Sequence, residues 1–326
     1  MSGTQPDGAG RSTTSAAFAD AVLAALADAL VGVRPQLERL LLALFCQGHV
    51  LIEDVPGTGK TAAIRALAAA TGLSAGRVQG TPDLLPSQVT GVNVVDPSTG
   101  RFTFRPGPLF ASLVLVDEIN RTTPRTQSAL LEAMAERQVT VDGETHRLPQ
   151  PFVVAATQNP IEHAGTFPLP EAQLDRFLLR IEMGVPAREA RRTILHRHRD
   201  HDPVAGIRQV VAPDDLTVVW DEVAAVHLSA PVEDYLMDVC DATGEHDDVA
   251  LGASVRGMLM LERVVRALAA LRGRGHVLPD DVQDVGVAVL AHRLVLSTDA
   301  HVRGRNSRDV VREIIAKVPV PGTGDD

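Results

Sequence analysis

The chain has 326 residues, 45% of them hydrophobic and 22% charged, so it can form two folded domains with hydrophobic cores. Aromatic residues make up only 3%, which predicts cores of aliphatic side chains. The net charge of -10 disfavours duplex DNA or a bare anionic membrane surface as the main partner, because phosphate neutralisation requires a basic face.

The sequence carries no signal for export or membrane insertion. Its first residues contain neither the basic start nor the apolar core of a signal peptide, and the most apolar run, Leu40–Ile52, is too short to span a bilayer. Cys46 and Cys240 are far apart in the sequence, which indicates free thiols in a reducing compartment. We therefore expect a cytoplasmic protein without a membrane span.

The first predicted elements are a tail, two helices and a strand. Residues 1–15 are rich in Gly, Ser and Thr and predict a disordered tail. Apolar residues recur at helical spacing from Ala17 to Leu44, with a break at Val31-Gly32, which predicts two helices. A short buried strand, His49–Glu53, and a helix, Lys60–Ala70, follow.

Three further apolar runs, separated by helical or loop sequence, predict buried strands of a parallel sheet covered by helices. They are Leu113–Val116, Phe152–Ala156 and Phe177–Ile181. Two β-hairpins are predicted between them, one over Val92–Phe104 and one over Gln138–Leu148, where Asp142-Gly143 is a strong turn dipeptide.

Beyond Val185-Pro186 the strand signals fade and helical periods replace them. The predicted helices are Arg188–Arg197, Trp220–Val226, Pro231–Thr243, Val255–Leu271 and Asp280–Leu294. The sequence thus predicts an α/β domain over residues 16–186, a smaller helical domain over residues 187–320 and a tail over residues 321–326.

A glycine-containing loop joins the strand ending at Glu53 to the helix beginning at Lys60. It reads Asp54-Val55-Pro56-Gly57-Thr58-Gly59-Lys60-Thr61, the strand–loop–lysine–hydroxyl–helix order of a P-loop. Its N–H groups and the helix N-terminus can surround a phosphate, Lys60 would contact the β- and γ-phosphates, and Thr61 would supply a hydroxyl to Mg²⁺. The general pattern has glycine where this chain has Asp54. The alternative is a tight turn without a ligand.

Two acidic residues, Asp117 and Glu118, directly follow the LVLV strand. Behind a P-loop, Asp117 would hold Mg²⁺ through water, and Glu118 would act as general base on the attacking water. The alternative is a strand that ends in a solvated acidic turn.

Two more polar residues stand at strand boundaries. Asn159 follows FVVAA and could orient the attacking water with its amide, or form a turn before Pro160. Arg176 precedes the last strand and could stabilise charge on the transferred phosphoryl group, or pair with Asp175 at the surface.

With these parts in sequence, the chain resembles the MoxR family of AAA+ ATPases, in the helix-2-insert clade, from about Ala17 to Pro321. Asp54 is normal at its position in this family. The resemblance rests on the loop at 53–61 and on TPDLLPSQVTGV (81–92), FRPGPLF (104–110), VDEINR (116–121), QSALLEAMAERQVTVDG (127–143), ATQNP (156–160) and FPLPEAQLDRF (167–177).

The resemblance implies the AAA+ strand order 5-1-4-3-2, with helices on both faces of the sheet and a C-terminal all-α lid domain. The hairpin at 92–104 would be the helix-2 insert, and the hairpin at 138–148 the pre-sensor-1 hairpin. Asn159 would be sensor 1, and Arg176 the arginine finger that reaches a neighbouring subunit's ATP. Arg256 would be sensor 2, through which bound ATP closes the lid, although Val255 stands where the family usually has Pro.

The implied ligands are ATP or ADP and Mg²⁺, with Val31 and Gly32 against the adenine and Thr61 and Asp117 toward the metal. The remaining nucleotide contacts would come from Val55, Pro56, Gly57, Thr58, Gly59, Lys60, Ala62 and Arg256.

The implied function is Mg²⁺-dependent ATP hydrolysis by a homo-hexamer that remodels a protein client, often with a partner that carries a von Willebrand factor A domain. Three alternatives stay open. A P-loop kinase is disfavoured by the combination of Glu118, Asn159 and Arg176. A nucleotide-gated scaffold would bind ATP without turnover, and a helicase-like DNA motor conflicts with the charge of -10.

The arginines at the end of the Val255–Leu271 helix and in the loop after it form a dense basic cluster. They are Arg263, Arg266, Arg272 and Arg274. We interpret this cluster as a solvated helix face and loop rather than a binding patch.

Overall fold

The computed structural model describes residues 14–55, 57–98, 100–159, 165–197 and 202–322. The elements up to residue 181 are α1 (Ser15–Ala27), α2 (Arg34–Phe45), β1 (Val50–Glu53), α3 (Lys60–Thr71), β2 (Ala75–Gln79), α4 (Pro86–Thr90), β3 (Gly91–Val95), β4 (Phe102–Pro106), β5 (Leu113–Asp117), α5 (Pro124–Glu136), β6 (Gln138–Val141), β7 (Glu144–Arg147), β8 (Val153–Gln158), α6 (Glu171–Leu174) and β9 (Leu179–Ile181). The later elements are α7 (Arg188–Arg197), α8 (Asp215–Ala225), α9 (Ala230–Glu245), β10 (Val249–Leu251), α10 (Val255–Leu271), α11 (Pro279–Leu290), β11 (Val295–Leu296), α12 (Thr298–Val302) and α13 (Ser307–Lys317).

The central sheet has five parallel strands in the order β2-β5-β8-β1-β9. When these strands are numbered along the chain and read from β9, the order is 5-1-4-3-2, and the predicted AAA+ order is confirmed. Carboxyl ends of parallel strands meet at one edge of the sheet. The loop after β1 therefore lies beside the end of β8, and β5 ends on the other side of β8.

Of the five strands in the central sheet, β2 is the strand that the hydrophobic pattern did not predict. It lies at the edge of the sheet, and only Val78 of its five residues is buried, so no continuous apolar run marks it. In β5, by contrast, all five residues are buried. A strand buried on both faces is visible in the sequence, and this edge strand is not.

The two faces of the sheet contribute to separate hydrophobic cores. Val50 and Ile52 of β1 pack into a core shared with α1, α2 and α3, whereas Leu51 belongs to a second core that contains residues of α5. This alternation follows from the two-residue side-chain period of a strand. Helices therefore cover both faces, as predicted.

Both predicted hairpins are present, as the antiparallel pairs β3–β4 and β6–β7. The turn at Asp142 and Gly143 has φ angles of 52° and 87°, as a tight hairpin turn requires. The Asn93 Nδ2 atom donates to the Asp142 Oδ2 atom at 2.8 Å, and the rings of Phe104 and His146 stack with centroids 3.8 Å apart. The hairpins therefore form one continuous surface.

The N-terminal helices pack against the lid helices, and the first core is continuous across residue 187. The Trp220 Nε1 atom donates to the Leu44 carbonyl at 3.2 Å, and the Ser15 N–H and hydroxyl both donate to Glu222 Oε2 at 2.6 Å. The proposed domain boundary at residue 187 thus marks a change from α/β to helical sequence and does not separate two cores.

The helical lid is confirmed, with differences at its edges. α7 and α10 have the predicted bounds, whereas α8 begins five residues earlier than predicted, at Asp215 rather than Trp220. A short antiparallel ribbon of β10 and β11 joins the lid, and the helix predicted to reach Leu294 ends at Leu290 and continues as a 3₁₀ turn. α13 was not predicted; it buries Val310, Val311 and Ile314. Among the described residues, no helix is both long and apolar enough to cross a membrane.

The chain ends are described only in part. Thr14 caps α1 by accepting from the Ala17 N–H at 3.2 Å, and Ser15 is the first residue of that helix, so the predicted tail over residues 1–15 is wrong at its last two residues. Residues 1–13 and 323–326 lie outside the described residues.

A buried histidine, His49, connects the start of β1 to α5 and to β8. Its Nε2 atom lies 3.0 Å from the Met134 carbonyl oxygen, and its Nδ1 atom accepts from the Val154 N–H at 3.0 Å. These partners require a neutral ring with the proton on Nε2. Burial lowers the pKa of His49 from 6.5 to about 4.

Acidification should therefore destabilise the protein through His49, and His49→Gln should remove that component while keeping a donor and an acceptor. Because the folded pKa lies below the unfolded value, the unfolded chain binds the proton first as the pH falls. The His49 contribution is complete above pH 6.5 and is lost toward pH 4. Between pH 7 and pH 5 the wild type should lose about 2 kcal/mol more free energy of unfolding than the variant, measured by urea denaturation. Parallel pH profiles would contradict a buried neutral His49.

Candidate functional site

The loop after β1 has the backbone of a phosphate-binding loop. Gly57 and Gly59 have φ angles of 84° and 87°, and α3 begins directly after Gly59, at Lys60. A Cβ at either glycine would meet no atom within 4 Å. Glycine is therefore required here by the backbone conformation, which L side chains rarely adopt, and not by lack of space.

Asp54 makes the turn that a glycine makes in the general P-loop pattern. One carboxylate oxygen accepts from the Val55 N–H at 2.7 Å, and the other accepts from the Gly184 N–H at 2.8 Å. The side chain thus binds the first N–H of the loop and ties the loop to the connection between β9 and α7. This explains in physical terms how the loop dispenses with that glycine.

The lysine of the loop is held by the loop's own carbonyl groups. Lys60 Nζ donates to the Val55 carbonyl at 2.8 Å and to the Asp54 carbonyl at 3.3 Å. A phosphate bound at the N-terminus of α3 would compete with these carbonyls for the ammonium group.

Asp117, the last residue of β5, is buried, and its carboxylate contacts both Arg77 and Thr157. Its Oδ2 atom lies 3.0 Å from Arg77 Nη2, and its Oδ1 atom accepts from the Thr157 hydroxyl at 3.4 Å. The Thr157 hydroxyl also accepts from the Glu118 N–H at 2.9 Å. Thr157 therefore fixes the ends of β5 and β8 relative to each other.

Glu118 is held in a strained position directly after β5. Its φ angle is 56°, in the left-handed region that non-glycine residues rarely adopt. Its carboxylate accepts from Gln79 Nε2 at 3.1 Å and from Arg121 Nη1 at 3.2 Å. A Cβ on Gly80 would lie 2.2 Å from the Glu118 carbonyl oxygen, so only glycine fits beside this turn.

Two adjoining cavities share the loop residues 57–59. A larger, mostly apolar cavity of about 910 Å³ has Leu30, Val31 and Met183 among its lining residues. A smaller, more polar cavity of about 510 Å³ contains the phosphate-site and hydrolysis residues. Its lining includes Lys60, Thr61, Ala62, Asp117, Glu118 and Asn159. A groove with an apolar half and a polar half fits a nucleotide base and its phosphates.

The oxygen donors Thr61 and Asp117 line the same polar cavity. A hydroxyl and a carboxylate are hard ligands that suit Mg²⁺, which usually keeps several waters and substrate phosphates in its coordination shell. The described part of the chain holds no cluster of three or more His, Cys, Asp or Glu side chains that could bind a metal. The donor set therefore fits a metal held jointly with a phosphate-bearing substrate.

Val31 and Gly32, the two predicted adenine contacts, differ in their position relative to the apolar cavity. Val31 lines the apolar cavity, but Gly32 is absent from the described residues around it. Gly32 has a φ angle of 79°, and a Cβ there would lie 2.9 Å from the Ala190 Cβ, so it serves the turn between α1 and α2 and the close approach of α7. Pro56 lies outside the described residues.

Arg176 and Arg256 line neither cavity of their own chain among the described residues. Arg176 Nη1 donates to the Leu131 carbonyl at 2.8 Å, and Arg256 Nε lies 3.6 Å from Asp175 Oδ2. The Arg256 side chain thus lies beside Asp175, the residue that precedes Arg176 in the chain, whereas the Arg176 side chain contacts α5. The structure does not bring these two arginines to the residues at 57–61.

A buried lid residue, Arg293, fixes the position of Asp175. Its Nε atom donates to Asp175 Oδ1 at 2.9 Å and its Nη2 atom to the Phe177 carbonyl at 2.5 Å, and its side chain is only 1% exposed. A Cβ on Gly257 would lie 2.9 Å from the Arg293 Cδ atom, so glycine is needed in α10 to let the arginine pass. We call Asp175, Arg176, Arg256 and Arg293 the finger cluster.

The sequence did not identify three side chains that act on the acidic pair, namely Arg77, Gln79 and Thr157. The first two lie on β2, which shows no apolar run. Thr157 stands between FVVAA and Asn159, at the end of a predicted strand, and this position was the only feature of the sequence that could have indicated its role. In the structure this strand pairs with the P-loop strand.

Comparisons with known proteins agree with this architecture. The family model described as ATPase family associated with various cellular activities (AAA) matches residues 49–179, and the AAA lid domain model matches residues 241–314. A Bacillus subtilis relative, the uncharacterized protein YeaC, is 46% identical over 292 residues, which cover 90% of this chain and 91% of the relative.

Two further matches extend over most of the chain. Chaperone MoxR1 of Mycobacterium tuberculosis is 40% identical over 301 residues, which cover 90% of this chain and 79% of the relative. The crystal structure of a candidate ATPase from Cytophaga hutchinsonii has a TM-score of 0.88 at 34% identity and covers 94% of this chain and 97% of its own.

Replacing Asp54 with glycine should weaken nucleotide binding, although it restores the general P-loop pattern. The variant loses both hydrogen bonds of the Asp54 carboxylate and gains backbone freedom. Since a hydrogen bond contributes roughly 1 kcal/mol, we expect about tenfold or greater loss of ADP affinity in a fluorescent-ADP titration. Asp54→Asn, which keeps one acceptor oxygen, should lie between the two. Wild-type or tighter binding by Asp54→Gly would refute this role of the carboxylate.

Proposed function

The chain belongs to the MoxR family of AAA+ ATPases and hydrolyses ATP, and from this premise we propose that it works as a homo-hexameric ring that remodels a protein client. The observation that carries the proposal is the finger cluster. Two arginines of the expected ATPase set, Arg176 and Arg256, are absent from the described residues that line the two cavities of their own chain. In a ring of copies, these arginines would reach the ATP bound to a neighbouring copy.

In this proposal ATP lies along the groove formed by the two cavities. The base would occupy the apolar half, against Val31, and the phosphates would lie on residues 57–61 with Lys60 beside them. The γ-phosphate would then point toward the ends of β5 and β8. The P-loop backbone, the lysine at its end and the helix N-terminus all favour a polyanion at this place.

Thr61 and Asp117 are the residues that would hold Mg²⁺. The metal would neutralise charge on the β- and γ-phosphate oxygens. Arg77 pairs with Asp117 at 3.0 Å, so its guanidinium group would share this carboxylate with the metal.

Glu118 is the proposed general base. Its carboxylate would accept a proton from a water molecule whose oxygen forms a bond to the γ-phosphorus, while the bond between that phosphorus and the bridging oxygen breaks and ADP leaves. Gln79, Arg121 and the strained turn fix the carboxylate before the water arrives. Asn159 lines the same cavity and would orient the water.

Arg176 and Arg256 would both act on the ATP of a neighbouring copy. The resemblance predicts that bound ATP closes the lid through Arg256; the ion pair of Arg256 with Asp175, at 3.6 Å, supports a position near the segment that carries Arg176. Arg293 binds Asp175 from the lid and Asp175 pairs with Arg256, so Arg256 and the segment that carries Arg176 would be positioned as a unit. Each site is then incomplete until a second copy supplies this unit, which calls for a closed ring.

Client remodelling is supported by the family and by one surface. A relative bears the name Chaperone MoxR1. The joined hairpins expose Val94, Val95 and Phe102, apolar side chains that a client could contact. A partner with a von Willebrand factor A domain follows from the family alone. A reducing, cytoplasmic location is supported by Cys46 and Cys240, which are both free and buried.

Mixtures of inactive variants test the shared site directly. Lys60→Ala removes the phosphate lysine but leaves the finger cluster intact. Arg176→Ala removes the finger arginine but leaves the phosphate lysine intact. In a random mixture about a quarter of the interfaces combine an intact loop with an intact neighbouring finger, so about a quarter of the wild-type ATPase rate should return. Steady-state phosphate release, with assembly checked by light scattering, measures this. Failure of all mixtures that assemble normally would contradict the proposal.

Arg256 provides a matched comparison within the same experiment. If it acts on the neighbour's ATP, Arg256→Ala should complement Lys60→Ala and should fail to complement Arg176→Ala, because both defects then lie on the same side of an interface. If it acts on its own chain's ATP, the outcome reverses. Recovery in the Arg256→Ala and Arg176→Ala mixture would therefore refute this assignment.

A further inference from the structure

A separate cleft of about 440 Å³ lies where the end of α2 and the junction of α5 and β6 meet the lid helices α8 and α10. It shares no lining residue with the two nucleotide cavities. The lining residues that matter here are Gln47, Arg137, Trp220, Glu262, Arg263 and Arg266, and we call this site the arginine cleft.

Positive charge in the arginine cleft is only partly compensated. Arg137 donates to neutral partners, the side-chain oxygen of Gln47 at 2.7 Å and its carbonyl at 2.8 Å. Arg266 pairs with Glu262 at 2.8 Å, but its Nε atom is buried without a hydrogen-bond partner. Within the described part of the chain, exposed Arg263 forms no hydrogen bond or ion pair through its side chain. Three guanidinium groups thus share one lining carboxylate.

This arrangement is unlike that of the other arginines in the same sequence cluster. Arg272 and Arg274 pair with Asp281 at 3.0 Å and 2.6 Å, so their charges are neutralised within the lid. In the cleft, burial first and the charge of Arg263 second lower the pKa of Arg137. The cationic forms in this cleft would gain from a bound anion.

The backbone of the cleft is strained in two places. Gln47 and Arg137 have φ angles of 49° and 54°. Among the described residues only four non-glycine residues have a positive φ, and a third is Glu118 at the hydrolysis site. Strained backbone that the surroundings must hold in place is found preferentially at binding and catalytic sites. Here the strain positions Gln47 and Arg137 against each other.

We propose that the arginine cleft binds a small molecule that carries a phosphate monoester group. A guanidinium group matches phosphate with paired hydrogen bonds, and a dianion would balance the excess of two positive charges. The cavity is larger than a bare phosphate needs and lies in the size range of small-molecule sites. The indole of Trp220 would contact the apolar part of the ligand.

Such a ligand would link the nucleotide-binding domain to the lid. Gln47 belongs to the connection that leads into β1, and Arg137 follows α5, whereas Trp220, Arg263 and Arg266 lie on lid helices. A phosphate bridging these groups would favour the arrangement in which the lid packs on α2. The site thus offers a way for a second ligand to act on the ATPase from outside the nucleotide groove.

Trp220 is the only tryptophan in the chain, so its fluorescence reports on this cleft. The full chain, with its nucleotide groove saturated by ADP and Mg²⁺, is titrated with phenyl phosphate at constant ionic strength. We expect a saturable fluorescence change, tighter binding than for inorganic phosphate, and no saturable change with phenol. Arg263→Gln should weaken phenyl phosphate at least tenfold, and Arg263→Lys should weaken it less.

Arg312→Gln is the matched control, because it removes the same charge from another exposed lid residue far along the chain. It should leave the titration unchanged. The proposal is overturned if phenyl phosphate gives no saturable change, or if Arg263→Gln and the control respond as the wild type does. Binding of a glutamate-rich peptide without binding of phenyl phosphate would also overturn it, in favour of an acidic protein partner.

Discussion

The site depends on one constraint, the parallel pairing of β1, β8 and β5 in adjacent positions of the sheet. Parallel strands end at a common edge, so the phosphate loop after β1 and the polar residues after β8 and β5 must face the same space. Thr157 links the last two strand ends by bonding to both Asp117 and the Glu118 N–H. Residues that are far apart in the sequence thereby line one cavity.

The sheet and the lid also position the finger cluster. β9 lies on the far side of β1; Asp175 and Arg176 of the finger cluster come shortly before it in the chain, and Arg293 of the lid donates to Asp175. Among the described residues, no member of the finger cluster lines the groove. In the proposed ring, hydrolysis would therefore be coupled to contact between copies.

Much of the fold was predictable because buried strands and amphipathic helices leave strong patterns. The P-loop, the acidic pair and Asn159 were readable because each stands directly at a strand end. Other features depend on tertiary placement. β2 has one buried residue, so its Arg77 and Gln79 were invisible. Arg263 and Arg272 look alike in sequence. Asp281 and Asp284 on the next helix pair with Arg272, whereas Arg263 has no carboxylate partner within the described part of the chain.

The shared site can be tested most directly by solving the structure of the Glu118→Gln variant with ATP and Mg²⁺. The account predicts the triphosphate on residues 57–61 of each copy, with Arg176 and Arg256 of the adjacent copy at its γ end. A triphosphate bound elsewhere, or one whose γ end is reached by Arg256 of its own chain, would contradict it.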